Sequence, residues 1–185
     1  MRHVLALAPL ALLICLLVAV LPAPSGSTSA PSAATPLDPA DAAGVDAVLD
    51  ELHRAAAAAD GPRYFALFTP TAVFLGTDAT ERWTLDEFRA YAKPHFDAGK
   101  GWDYTSVERH LVPVPAAAAG GMVTVVLFDE LLDNAKLGRC RGSGALVRTG
   151  DAWKIAQYNL SIPVPNDLAL PVVELIRAAN IRTKP

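Results

Sequence analysis

Two cysteines in 185 residues, Cys15 and Cys140, leave little scope for covalent reinforcement. Cys15 lies in an apolar N-terminal run, so removal of that run would leave Cys140 alone and no intramolecular disulfide to staple the remainder. Stability must then come from packing. Cys140 sits in a strand-like segment with no second cysteine or close histidine beside it, so it reads as a small buried hydrophobe rather than a nucleophile or ligand. No Cys/His metal centre is expected, and no cofactor. Clustered positive charge is also missing: the formal charge is -3 and the lysines and arginines are scattered singly. That pattern excludes the basic stripe that nucleic-acid partners require. There is no internal repeat, phosphate loop, metal cluster or activated-nucleophile motif.

What is present begins with Met1-Arg2-His3 and a nearly unbroken apolar run from Val4 to Leu21. A charged start, an apolar stretch and small residues beyond it have the form of a secretory signal, with cleavage expected near Ser27-Thr28-Ser29-Ala30 or at Ala23. An uncleaved anchor is the alternative, because the run is close to the lower length limit for a membrane span. Lipid attachment at Cys15 is disfavoured by the bulky Ile14 before it. Residues 1–30 are therefore assigned to a signal peptide or N-terminal membrane anchor and 31–40 to a flexible linker of Pro, Ser, Ala and Thr. The expected localisation is secreted or periplasmic, with membrane contact only through the N-terminal segment.

Residues 41–167 leave room for one domain. Asp38-Pro39 supplies a helix cap, and Val45, Val48, Leu49, Leu52, Ala56 and Ala59 recur at helical spacing. Asp60-Gly61-Pro62 stops that helix and opens a short second one carrying Tyr64, Phe65, Leu67 and Phe68. Short extended pieces are expected at 72–77 and 81–83. Thr84-Leu85-Asp86-Glu87 has capping-box form and starts a third helix that contains Pro94. Four strand-like runs follow, at 102–112, 122–133, 138–148 and 152–163, before a helix in the C-terminal segment 168–185. Helices followed by an antiparallel meander indicate an α+β fold.

A hairpin about Thr149-Gly150-Asp151 would set Val147 opposite Trp153, Ala145 opposite Ile155, Ser143 opposite Gln157 and Arg141 opposite Asn159. These side chains are expected to share the inner face, since Arg148 and Lys154 on the other parity are easily solvated. Extended to the preceding strand, the register puts Asp129 opposite Arg141, while a one-residue slip would substitute Glu130 and Phe128. The core would then open into a polar chamber. Val126, Phe128, Leu146, Tyr158 and Leu160 would form an apolar outer face, covered by a homodimer partner or by the C-terminal helix. Gly142 and Gly144 mark a sharp bend or a close approach.

Four segments carry a resemblance: Phe74-Leu75-Gly76-Thr77-Asp78-Ala79-Thr80-Glu81-Arg82-Trp83, Phe128-Asp129-Glu130-Leu131-Leu132-Asp133-Asn134, Cys140-Arg141-Gly142-Ser143-Gly144 and Trp153-Lys154-Ile155-Ala156-Gln157-Tyr158-Asn159. Over residues 45 to 167 the chain resembles the SnoaL-like branch of the nuclear transport factor 2-like superfamily. The resemblance implies a cone-shaped fold, with a curved antiparallel sheet packed on three N-terminal helices and a pocket between them, commonly in a dimer. It implies no single chemistry, because the superfamily contains isomerases, cyclases, dehydratases and pocket proteins without an assigned reaction.

Three readings follow. In the first, the protein binds a hydrophobic or amphipathic small molecule through Trp83, Trp102, Asp129, Arg141, Ser143, Gln157 and Asn159, with Tyr64 as a further aromatic wall. A structural ion pair between Asp129 and Arg141 is the plainer account of the same two residues. In the second, an isomerase, cyclase or hydro-lyase uses Asp129 or Asp78 as general base and Tyr64 or His95 as donor. Asp78 is better explained as a turn residue accepting backbone hydrogen bonds, and His95 as a pocket-wall or core residue. The third is a pocketless interaction module.

Overall fold

The computed structural model describes residues 36–115 and 123–179. The expectations about a signal or anchor, and about most of the linker, lie outside the described residues. Among the described residues no helix is long and apolar enough to cross a membrane.

Helix α1 (Pro39–Ala57) starts where Asp38 accepts a hydrogen bond from the Ala40 amide at 2.8 Å, with proline at its first position. Val45, Leu49, Leu52, Ala55 and Ala56 form its buried stripe. Each large aliphatic residue there contributes about 1.5–3 kcal/mol through removal from water. Asp60 caps the short α2 (Gly61–Phe65) through the Arg63 amide. Strands β1 (Phe68–Leu75) and β2 (Arg82–Thr84) lead into α3 (Leu85–Asp97), whose capping box forms as the sequence predicts, between Thr84 and Glu87. Helix α3 runs through Pro94 and buries Leu85, Phe88, Ala92 and Phe96.

The four long strands are β3 (Thr105–Pro115), β4 (Val123–Asn134), β5 (Gly138–Thr149) and β6 (Ala152–Ser161). The sheet order is β2-β1-β6-β5-β4-β3. The last four strands form the expected antiparallel meander, and β1 adds to β6 in parallel, a pairing that no local sequence signal announces. A 3-10 turn (Asn166–Leu168) and α4 (Ala169–Ala178) end the described chain, and α4 buries none of its residues.

The register of β5 and β6 differs from the sequence expectation in two places. The turn has two residues, with Thr149 opposite Ala152 and Gly150 at φ 61°, so Trp153 faces Arg148 and not Val147. Ala156 is then an extra residue, because Leu146 pairs with Ile155 while Ala145 pairs with Gln157. Such a bulge exchanges the two faces of a strand. Trp153 and Ile155 point into the core before it, and Tyr158 does so after it. The inner face of β4 and β5 is Val126, Phe128, Glu130, Leu132, Cys140, Gly142 and Leu146, all buried. Residues expected to need a dimer partner or α4 as cover are therefore the core itself, sealed by the helices.

Arg148 does not lie on the solvated face that strand alternation predicts. Its guanidinium lies 4.6 Å from the Trp153 ring and is ion-paired with Asp41, so this charge sits on the inner side without being buried alone.

Candidate functional site

Glu130 is the one buried charged residue in the described core, with no exposed surface. A carboxylate there must be compensated or protonated. It is compensated on both oxygens. Oε1 accepts from Tyr158 Oη at 3.0 Å and is 2.9 Å from His53 Nε2, while Oε2 accepts from Arg109 Nε at 3.0 Å and Nη2 at 2.9 Å. Arg109, 11% exposed, spends Nη1 on Asp46 and Asp50 of α1, at 3.0 Å each. The cluster therefore ties β3, β4 and β6 to one face of α1.

Burial raises the Glu130 carboxyl, but His53 and Arg109 more than offset it and hold the group below the ordinary glutamate range. Tyr158 moves the opposite way: burial first, then the adjacent Glu130 charge, push its hydroxyl well above the usual tyrosine value. At neutral pH the cluster thus contains an ionised carboxylate and a neutral phenol.

Two separate spaces lie beside the cluster. The outer, a vestibule of about 180 Å³, is walled by Phe74, Trp83, Phe88, Tyr91, Trp102 and Leu160, with Glu81 and Tyr104 also on its lining. The aromatic walls are held in a ladder: Trp83 stacks on Tyr91 at 4.8 Å, Phe74 on Phe88 at 3.8 Å, and Phe74 on Tyr158 at 5.7 Å. A smaller space of about 20 Å³ has Phe74, Trp102, Tyr104 and Leu160 in common with the vestibule and is also lined by His53, Tyr64 and Tyr158. His53 also borders an open cleft of about 300 Å³ with Asp50, Arg54 and Asp103. A larger groove of about 590 Å³ between α2 and α3, lined by Phe65, Phe96, Arg89 and Lys93, touches none of these polar residues.

The sequence-predicted residues divide sharply. Trp83 and Trp102 line the vestibule, and Tyr64 and Trp102 the smaller space. Asp129, Arg141, Ser143, Gln157 and Asn159 occupy the outer parity of the sheet, where Arg141 and Gln157 are exposed. Asp129 faces Ser143, and Arg141 faces Leu131 and Ser161, so the Asp129–Arg141 pair is not formed. The polar chamber expected from these five residues is absent from the inner face, for the reason given by the turn and the bulge. Asp78 is an exposed turn residue accepting from the Thr80 amide at 2.8 Å and hydroxyl at 2.6 Å. His95 is exposed on α3. Cys140 is fully buried, and burial pushes its thiol up.

A family model for the SnoaL-like domain matches residues 45–165. The chain belongs to the SnoaL-like domain family. Similar solved structures include an NTF2-like protein of unknown function from Pseudomonas putida, 11% identical, with TM-score 0.56 over 71% of this chain and 93% of that one. A proposed dehydratase of the NTF2-like family from Streptomyces avermitilis is 12% identical, with TM-score 0.55 over 68% and 98%. A proposed scytalone dehydratase from Novosphingobium aromaticivorans is 9% identical, with TM-score 0.54 over 68% and 85%. At these identities the likeness establishes the α+β cone alone. No curated protein sequence matches the chain.

In the SnoaL-like domain, sequence reasoning missed His53 and Arg109, named Glu130 only as the outcome of a one-residue slip, and put Tyr158 on the outer face. A signal for Glu130 existed. It stands in a row with Val126, Phe128 and Leu132, an acid where strand alternation calls for an apolar residue. His53 and Arg109 had no comparable local mark, since each reads as a polar residue on an otherwise amphipathic element.

Proposed function

We propose that this SnoaL-like protein is exported and binds a small hydrophobic or amphipathic molecule of about one ring in the aromatic vestibule, with no reaction required. The carrying observation is the vestibule of about 180 Å³ with stacked aromatic walls. An apolar cavity of about 150 Å³ is enough to hold benzene. Trp83→Ala removes a wall at the rim, away from the buried cluster. Titration of toluene followed by tryptophan fluorescence should saturate for the natural protein and weaken at least about tenfold in this variant. No saturable binding by the natural protein, or an unchanged affinity in the variant, would count against the vestibule.

Catalysis by a pocket carboxylate is less well supported. Glu130 already accepts from or faces Arg109, His53 and Tyr158. A carboxylate held in that way is a weak base.

Export and self-association belong to the same proposal. The run Val4–Leu21 supports export, and the paired, exposed Val112 and Leu127 on the outer sheet face support a homodimer. Native mass spectrometry of protein recovered from an export-competent host should show a dimer whose subunit lacks the N-terminal run. A monomer of full-length mass would remove both parts.

A further inference from the structure

We infer that the ligand of the vestibule carries a cationic amine, which pairs with the Glu81 carboxylate while its ring lies among the aromatic walls; the class of molecule is a single-ring arylalkylamine. This rests on the vestibule being the binding site. Among the described residues that line it, Glu81 bears the one formal charge and none is basic. Its carboxylate is placed by its neighbours. Phe74 and Gly76 line the vestibule and Leu75 between them does not, so side chains of that parity point into it. A Cβ at Gly76 would collide with Glu81 Oε2, so the carboxylate occupies the inward place that a side chain at position 76 would take. The Gly76 amide donates to the Glu81 carbonyl at 2.8 Å, which holds the two residues together across the turn from β1 to β2.

Glu81 is also short of partners. Oε2 accepts from the Asp78 amide at 3.2 Å, Oε1 accepts from no described residue, and no described arginine or lysine is paired with the group. Glu51, Asp86 and Asp97 differ, since each holds an arginine or a lysine. A partly buried carboxylate without a counter-ion, set beside aromatic walls that keep water back, is complemented by a cation. Trp83, Tyr91 and Trp102 supply apolar surface for the ring that bears it. A neutral ligand leaves Glu81 as it is. A carboxylate ligand brings like charge against it.

The test uses benzylammonium, benzyl alcohol, benzoate and toluene as probes of the full chain at neutral pH, by calorimetry. Benzylammonium and benzyl alcohol have nearly the same shape and differ in charge. The natural protein should bind benzylammonium about fivefold more tightly than benzyl alcohol, the factor given by an ion pair partly open to water, and benzoate least well. Added salt should narrow that gap. Glu81→Gln keeps an acceptor for the Asp78 amide and removes the charge, and should bring the two affinities together. Trp83→Ala should weaken both in parallel, which puts the amine in the vestibule. The carboxyl carbon-13 resonance of Glu81 in the natural protein gives a reading that depends on no variant. Benzylammonium should move it well beyond any shift caused by toluene. Equal affinities for benzylammonium and benzyl alcohol, a preference that survives in Glu81→Gln, or a Glu81 resonance indifferent to benzylammonium overturns the role of Glu81 and leaves the vestibule intact. Absence of toluene binding instead removes the vestibule, and this inference with it.

Discussion

Glu130→Ala is expected to destabilise the domain by about 3–5 kcal/mol, the usual cost of removing one partner from a buried ion pair. The truncation leaves the Arg109 guanidinium, 11% exposed, without the carboxylate that neutralises it. It also leaves the buried Tyr158 hydroxyl without its acceptor. Asp46 and Asp50 remain against Arg109, but both are about half exposed and contribute weakly through solvent. Domains of this size are stable by only about 5–15 kcal/mol, so the loss should lower the urea midpoint strongly with little change in slope. A loss below about 1 kcal/mol would show that the cluster does not bear on folding. Joint replacement of Glu130 and Arg109 by methionine should recover much of the loss, since no charge is then left buried. The same group sets an acid limit. Its carboxyl is depressed in the folded state, so the unfolded chain binds the proton more readily. The stabilisation is complete above the ordinary glutamate value, about 4.3, and is lost as pH falls from there through the lower folded value.

Gly144→Ala should cost about 3 kcal/mol, the upper end for an added methyl in a packed site. A Cβ at this position would collide with the backbone carbonyl oxygen of Gln157 and lie 3.0 Å from the Phe128 ring. Backbone cannot swing aside as a side-chain tip can. The obstruction arises at the β6 bulge, where Ala156 is inserted and Gly144 pairs with Tyr158. Relief would require β5 and β6 to separate where the bulge sets the inward direction of Tyr158. Thermal unfolding should fall by roughly 10 °C. An unshifted transition would mean that the strands do not approach here as described.

Much of the architecture was legible because its causes are local. Asp38-Pro39, Asp60 and the Thr84–Glu87 box each satisfy backbone groups within a few residues, and the helices start there. The glycines at 142 and 144 announced a close approach, which the Tyr158 hydroxyl and the Gln157 carbonyl make. The site was less legible. A loop shortened by one residue and one inserted alanine lie between Leu146 and Tyr158, and either alone turns alternate side chains to the opposite face. Arg148 hid the error, because a charge was assigned to solvent although Trp153 and Asp41 receive it.

The amino-acid order alone determined where the first three helices are capped and that the last four strands form a meander, whereas β1 starts at Phe68, inside the segment read as the second helix, and β3 at Thr105. The caps and the meander depend on turns and periodicity within a few residues of each other. Only tertiary structure decided the parallel pairing of β1 with β6 and the meeting of His53, Arg109, Glu130 and Tyr158. Those groups lie 21 to 77 residues from Glu130 along the chain, and their contact exists only once α1 closes over a sheet whose inner face the bulge has chosen.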